Sequence, residues 1–288
     1  MPMMRKVANT VYEWFLRHQI DYGRVPEHIA VIQDGNRRFA REKGESPEEG
    51  HKHGAEKAEE LLDWASEIGV KEVTLYTFST ENFRRPDNEL DSLFSLMEEK
   101  FLELADDDRI HSNRIRIRAV GDLGRLPDRV EDAIREAEEK TSEYDEFHLN
   151  IAVGYGGRDE LLRASREVLR EVEDGDLEPD EIDTEKVSEY VYTPRSNDVD
   201  LMIRTGGEER LSNFLPWQAK GNESAVYFCD PYWPAFRKID FLRAIRSYAD
   251  VERSRSDVGS ETDESREKQS TASVGSETDP EESEPRLR

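Results

Sequence analysis

The chain has 288 residues, 41 of them basic and 66 acidic, and a formal net charge of −25. That excess of negative charge argues against duplex nucleic acid as a partner, because affinity there comes from neutralising phosphates. A single cysteine, Cys229, excludes an internal disulfide and a cysteine metal cluster.

The basic residues are 11 Lys and 30 Arg. An acidic, Lys-poor surface suits a protein bathed in concentrated salt, where screening is nearly complete and hydration keeps the chain soluble. An anionic small ligand is not excluded, since it needs only a local basic pocket. The sequence has no run of 18 apolar residues and no signal-peptide pattern, so a cytosolic protein is expected, with peripheral contact at the inner face of a membrane.

In chain order, residues 7–20 carry apolar side chains at helical spacing and predict an N-terminal helix packed on the body, within a leading segment 1–24. From residue 28 onwards strands alternate with amphipathic helices. The strands are predicted at His28–Gln33, Glu72–Phe78, Arg114–Val120, His148–Val153, Asp200–Ile203 and Ala225–Phe228. Helices are predicted at about 51–68, 88–105, 127–141 and 158–172, with weaker ones at 183–191 and 239–249. Continuous apolar strands with crossover helices indicate one α/β domain, about 25–250. Its central, mostly parallel sheet of about six strands is covered on both faces. Ligands on such sheets bind beyond the carboxyl ends of the strands. From about Val251 to Arg288 there is no aromatic residue, and Val-Gly-Ser-Glu-Thr-Asp occurs at 258–263 and again at 274–279. This predicts an acidic, low-complexity, disordered tail. Its 11 acidic and 6 basic residues carry a charge of −5, so most of the acidity belongs to the folded body.

Polar clusters fall where ligands are expected. The first strand ends in Gln33-Asp34-Gly35-Asn36-Arg37-Arg38-Phe39. Gly35 permits a tight turn that brings backbone N–H groups toward an anion, and Asp34 is a candidate Mg²⁺ ligand. On their own these residues are most often a plain turn. Gly50-His51-Lys52-His53-Gly54 is expected to open the next helix, with amides and a His facing the same anion. After the second strand, Ser79-Thr80-Glu81-Asn82-Phe83-Arg84-Arg85 supplies hydroxyls, an amide, a carboxylate and arginines. After a late strand, Arg204-Thr205-Gly206-Gly207-Glu208-Glu209-Arg210-Leu211-Ser212 suits a second polyanion.

Taken in order, these segments resemble the cis-prenyltransferase family, the undecaprenyl diphosphate synthases and their dehydrodolichyl relatives. The resemblance covers roughly 25–250, and Leu149–Gly157 and Tyr232–Phe236 add to it. It implies repeated addition of isopentenyl diphosphate to an allylic diphosphate, geranylgeranyl or farnesyl, each new double bond being cis. The product implied is a long polyprenyl diphosphate, precursor of a lipid glycan carrier.

The family's roles carry over by position. Asp34 takes the place of the Asp at the allylic diphosphate and Mg²⁺, and Asn82 the position given a proton-acceptor role. Gly35, Asn36, Arg37, Arg38, Phe39, His51, Ser79, Thr80, Glu81, Phe83 and Arg85 fall in the allylic diphosphate site. Arg204, Arg210, Leu211 and Ser212 match the isopentenyl diphosphate clamp. Glu223 is the candidate second metal ligand, although two extra residues separate it from Tyr227. An amide is a poor base in water, so Asn82 is expected to orient a proton path. Pro47 stands where bacterial relatives usually have an Arg, which Arg37 is expected to replace. The resemblance further implies a homodimer, yet the C-terminal Arg-x-Gly of homodimeric relatives is absent. It also implies an apolar tunnel for the growing chain under the helix at 88–105, lined by Leu90, Leu93, Phe94, Leu96, Met97 and Phe101. At each of these positions ordinary core is the competing reading. A non-catalytic subunit of a heteromeric transferase is the alternative function, although such subunits usually lose the Asp-Gly-Asn turn kept here.

Overall fold

A computed structural model describes residues 12–192, 198–219 and 224–254. A six-stranded sheet forms the centre. Its strands are β1 (His28–Ile32), β2 (Glu72–Ser79), β3 (Ile115–Val120), β4 (Phe147–Tyr155), β5 (Leu201–Arg204) and β6 (Ala225–Phe228), in the spatial order β3-β4-β2-β1-β5-β6. Every neighbouring pair is parallel. β1 is buried along its whole length, as a strand covered on both faces must be.

The helices are α1 (12–19), α2 (Asn36–Lys43), α3 (Pro47–Ile68), α4 (Asp87–Asp106), α5 (Asp108–Ser112), α6 (Asp128–Thr141), α7 (Gly157–Asp174), α8 (Thr184–Ser188) and α9 (238–254). On one face of the sheet, α3, α4, α6 and α9 enclose a large core that includes Val31, Leu75, Phe101, Ile134 and Phe241. A smaller core on the other face holds Ile32, Met202, Tyr155 and Phe214. α1 adds Leu16 to the large core and leaves Trp14 and Phe15 exposed.

All six strands lie within two residues of their predicted limits. Two helices have no counterpart in the sequence reading. α5 is a five-residue turn after α4. α2, Asn-Arg-Arg-Phe-Ala-Arg-Glu-Lys, buries only Ala40 and so shows no apolar stripe. α3 also starts earlier than expected. Ser46 caps it, its hydroxyl accepting from Glu49 N, and Pro47 takes the first helical position. Proline suits that position, where its missing N–H has no partner to lose.

The early start corrects the reading of Gly50–Gly54. These residues do not open the helix; they form its small-residue face where α2 crosses it. A Cβ on Gly50 would lie 2.4 Å from the carbonyl oxygen of Asn36 and 2.9 Å from Cβ of Ala40. One on Gly54 would lie 2.4 Å from Oδ1 of Asn36. The two glycines therefore let α2 sit close to α3, and this places the turn at 34–38.

Candidate active site

The chain runs from β1 to β2 on one side and later returns to place β5 on the other side of β1. Strand order reverses there, and a crevice opens beyond the carboxyl ends of β1 and β5. Asp34 follows β1 and Arg204 ends β5, so their meeting follows from the register, in which Ile32 pairs with Arg204.

Asp34 is held between two guanidinium groups. Arg38 Nη2 donates to its Oδ1 at 2.9 Å, and Arg204 Nη2 donates to its Oδ2 at 2.7 Å. Its backbone carbonyl accepts from the Thr205 hydroxyl (2.8 Å) and from Trp233 N (2.9 Å). Gly35 has φ 108°, and a Cβ there would lie 2.7 Å from the Tyr232 ring, so the turn needs glycine on both counts. Arg38 also lies over the Tyr232 ring, 5.1 Å from its centroid.

Gly35 gives α2 no side-chain cap, and the first turn holds no acid. The leading N–H groups of α2 thus lack intrahelical partners, with Arg37 and Arg38 beside them. This is the arrangement that binds an anion at a helix N-terminus.

A second basic group faces this turn. Arg85 donates to Glu89 Oε1 (2.7 Å), as does Arg37 (3.4 Å), and Arg85 Nη1 lies 3.4 Å from His51 Nε2. Burial, then the Arg85 and Arg37 charges, push the His51 pKa down from 6.5 to about 4. Above pH 4 His51 is therefore neutral and accepts from Arg85. The folded value lies below the unfolded one. The stability linked to His51 is therefore fully present above pH 6.5 and is lost as pH falls toward 4, by roughly 3 kcal/mol. An anion beside it would favour the charged form. Saturating pyrophosphate is expected to raise the His51 midpoint by more than one pH unit in an NMR titration. An unmoved midpoint would place the anion elsewhere.

The segment after β2 turns through Thr80–Arg84. Asn82 Oδ1 accepts from Ser79 N at 2.9 Å, so its amide oxygen is engaged and its NH₂ remains as a donor. Thr80 packs against Gly156, where an added Cβ would lie 2.7 Å from its hydroxyl. Phe83 meets Phe78 edge-on and lies under Arg125, whose guanidinium is 3.9 Å from the ring centroid. Glu81 is exposed. Phe39 contacts the His53 ring and the Lys43 ammonium.

On the β5 side, Arg204 is nearly buried. Its Nη1 donates to the Ser212 hydroxyl (2.6 Å) and to the Arg210 carbonyl, and its Nε is buried without a hydrogen-bond partner among the described residues. Leu211 packs on the smaller core. The Arg210 guanidinium turns to solvent beside Glu208, so the structure brings Asp34, Arg38, Arg204 and Ser212 together but leaves Arg210 outside that cluster. Ser212, Asn213 and Leu215 all have positive φ. Each costs of order 1–3 kcal/mol and persists only if its surroundings fix it. α7 does so here. Gly157 N donates to the Asn213 carbonyl and Arg158 N to Asn213 Oδ1, both at 2.9 Å. The buried Glu160 accepts from Tyr155 Oη (2.5 Å) and Gln218 Nε2 (3.1 Å).

An apolar cavity of about 120 Å³, partly open to solvent, starts beside Gln33, Asn36 and His51 and runs between α3, α4 and the sheet. Leu93, Leu96, Met97 and Phe101 line it as expected. Leu90 and Phe94 do not; Phe94 packs on Phe78 and Phe83 instead. Ala55, Ala58 and Leu62 of α3 form the wall that the sequence did not reveal. Glu89, Tyr232 and Asn213 also went unassigned. Glu89 reads as one acid on a charged helix, and Asn213 as part of a polar loop. Glu223 lies outside the described residues. Among the described residues no group of three or more His, Cys, Asp or Glu side chains could hold a metal, and no helix is long and apolar enough to cross a membrane.

The undecaprenyl diphosphate synthase family model matches residues 32–256. The tritrans,polycis-undecaprenyl-diphosphate synthase (geranylgeranyl-diphosphate specific) of Halobacterium salinarum is 56% identical over 84% of this chain and 79% of its own. The protein of the same name from Methanopyrus kandleri is 53% identical over 86% and 91%. Among solved structures, lavandulyl diphosphate synthase from Lavandula x intermedia, in complex with dimethylallyl diphosphate, superposes with a TM-score of 0.72. It is 35% identical, over 78% of this chain and 95% of that one. A probable undecaprenyl diphosphate synthase from Campylobacter jejuni gives 0.64 at 34% identity, with the same coverage. With a basic, glycine-containing turn at the switch point, an apolar cavity leading from it and these relatives, the chain belongs to the undecaprenyl diphosphate synthase family of cis-prenyltransferases.

Proposed function

We propose that this enzyme extends geranylgeranyl diphosphate by repeated condensation with isopentenyl diphosphate, giving a long polyprenyl diphosphate with cis double bonds. The observation that carries the reading is the Asp34 cluster, with one anion-binding helix end beside it, a second basic loop at Ser212, and an apolar cavity starting at the same point. The geranylgeranyl-specific names of the archaeal relatives favour that starter over farnesyl diphosphate. The intact Asp34-Gly35-Asn36 turn favours an enzyme over a non-catalytic subunit.

In this reading the leading amides of α2, with Arg37, Arg38 and Arg85, receive the allylic diphosphate. Arg204, Arg210 and Ser212, with Leu211 beside them, hold isopentenyl diphosphate. Arg204 touches both Asp34 and Ser212, so one guanidinium sets the spacing of the two substrates. Condensation forms a carbon–carbon bond, breaks the allylic carbon–oxygen bond and releases a proton. Arginines and backbone amides neutralise the leaving group where its charge develops. Asn82 offers only N–H donors outward and therefore orients a diphosphate oxygen, which takes the proton.

Mg²⁺ usually takes one or two carboxylates, with substrate phosphates and water completing its shell. A single hard carboxylate at the crevice, Asp34, fits that donor set, with Glu223 proposed as the second. Bound there, the ion would act as a Lewis acid on the leaving diphosphate. The same reading takes 25–250 as the catalytic domain, 1–24 as an N-terminal helix and 251–288 as an acidic tail. It also includes a homodimer and peripheral contact with the inner face of a membrane.

Labelled isopentenyl diphosphate should be incorporated with geranylgeranyl diphosphate and Mg²⁺ in concentrated KCl. EDTA should stop incorporation and added Mg²⁺ restore it. No incorporation with any allylic starter would overturn the proposal.

A further inference from the structure

Arg37 and Arg38 are neighbours at the start of α2, yet they are held very differently. The Arg37 side chain is 54% exposed, and its contact with Glu89 is long, at 3.4 Å. Arg38 is fixed at several points. Its Nη2 donates to Asp34 Oδ1 at 2.9 Å, and its guanidinium lies over the Tyr232 ring, 5.1 Å from the centroid. The same Nη2 lies close to the Gly206 backbone, where an added Cβ would be 2.8 Å from it. Tyr232 is itself set in a firm frame. Gly206 N donates to the Pro231 carbonyl just before it (2.8 Å), and Trp233 N just after it donates to the Asp34 carbonyl (2.9 Å). Trp233 is fully buried, and its indole N–H donates to the Gly54 carbonyl at 2.7 Å. The ring is thus presented to Gly35 and Arg38 by backbone anchored to α3 and to the turns that follow β1 and β5.

We propose that Tyr232 is a positioning residue for the allylic diphosphate, its ring keeping the Arg38 guanidinium in place while Arg38 exchanges one anion for another. The inference deepens the function proposed above and rests on it. An entering diphosphate competes with Asp34 for Arg38, so the ion pair that orients Arg38 is given up as the substrate binds. The ring contact is not. An aromatic face attracts a guanidinium through its quadrupole and leaves the in-plane N–H groups unengaged. The donors of the fork therefore stay available to phosphate oxygens. A carboxylate in the ring's place would also orient Arg38, but it would compete with the substrate for those donors. A side chain held in its bound orientation also loses less rotamer freedom when the ligand arrives.

The test is equilibrium binding of geranylgeranyl diphosphate to the full-length enzyme with Mg²⁺, in the absence of isopentenyl diphosphate so that no condensation occurs. Tyr232→Leu keeps an apolar side chain but no ring, and is expected to weaken binding by about threefold to tenfold, the range of one cation–π contact. Tyr232→Phe keeps the ring and should bind as the wild type does. The KM for isopentenyl diphosphate should not move in either variant, whereas a general disturbance of the switch point would shift both substrates. In an Arg38→Ala background, Tyr232→Leu should cause no further loss, because the ring acts through Arg38. If Tyr232→Leu does not fold, phenylalanine against pentafluorophenylalanine at position 232 decides the question, since fluorination keeps the shape and removes the negative face. Unchanged binding by a folded Tyr232→Leu, equal losses in the Leu and Phe variants, or a full further loss in the Arg38→Ala background overturns the inference. Absence of both binding and incorporation by the wild-type enzyme would overturn the proposed function itself.

Discussion

Asp34→Asn is expected to lower the rate of incorporation by about 10³-fold at saturating substrates, the loss of roughly 4 kcal/mol of transition-state stabilisation. Asparagine keeps the shape and one acceptor oxygen but removes the charge that fits a divalent cation. It also leaves Arg204, which is 4% exposed, facing a neutral group. Breaking a fully buried pair is strongly destabilising. Asp34 itself is part exposed, and Arg204 keeps the Ser212 hydroxyl and the Arg210 carbonyl, so the stability cost should be smaller, about 1–2 kcal/mol. The two effects separate in a melting curve measured beside the assay. A variant that folds with near wild-type turnover would move the metal site away from Asp34.

Gly50→Ala should be strongly damaging for a single added methyl group. The new Cβ would overlap the Asn36 carbonyl and the Ala40 side chain, and neither is the far end of a flexible chain. α2 must move off α3, at about 2–3 kcal/mol for overpacking. The larger consequence is functional. α2 carries Arg37 and Arg38 and the leading amides at its start, so a shift of its axis moves the whole of the proposed diphosphate cradle. Misplacement by about 1 Å costs on the order of 10²-fold in rate. The expected result is a lowered melting temperature with a larger fall in turnover. Gly44→Ala serves as the comparison, since nothing lies near a Cβ there, and its cost comes from φ 73° alone. Equal losses of activity in the two variants would mean that the α2–α3 contact does not position the site.

The sheet was legible because its strands are short, apolar and bounded by polar turns. β1 is His-Ile-Ala-Val-Ile, buried throughout, and no helix period fits it. The role proposed for the 34–38 turn comes from the resemblance, since Asp34-Gly35-Asn36 by itself signals only a turn. What escaped were features that exist only between elements. Nothing local marks Gly50 and Gly54 as a contact face, because the reason for them is the approach of α2, itself too polar to read. Glu89 reads as one more acid at the start of a charged helix, and its meaning comes from Arg37 and Arg85, which reach its largely buried carboxylate from the segments before α4. Asn213 gives no signal until α7 starts against it. The lining of the cavity was half legible for the same reason. The stripe on α4 shows in the sequence, whereas the α3 wall is made by small residues, Ala55 and Ala58, that resemble any helix.

Glu89 bears on how such a site works in strong electrolyte. It already occupies Arg37 and Arg85, as Asp34 occupies Arg38 and Arg204, before any substrate arrives. On the proposed function, a diphosphate that enters takes over cations from resident carboxylates, and few ions are released to solvent on binding. The process is an ion exchange inside the protein. Its equilibrium is governed by the difference between two anions competing for the same arginines, so dissolved salt enters nearly equally on both sides and largely cancels.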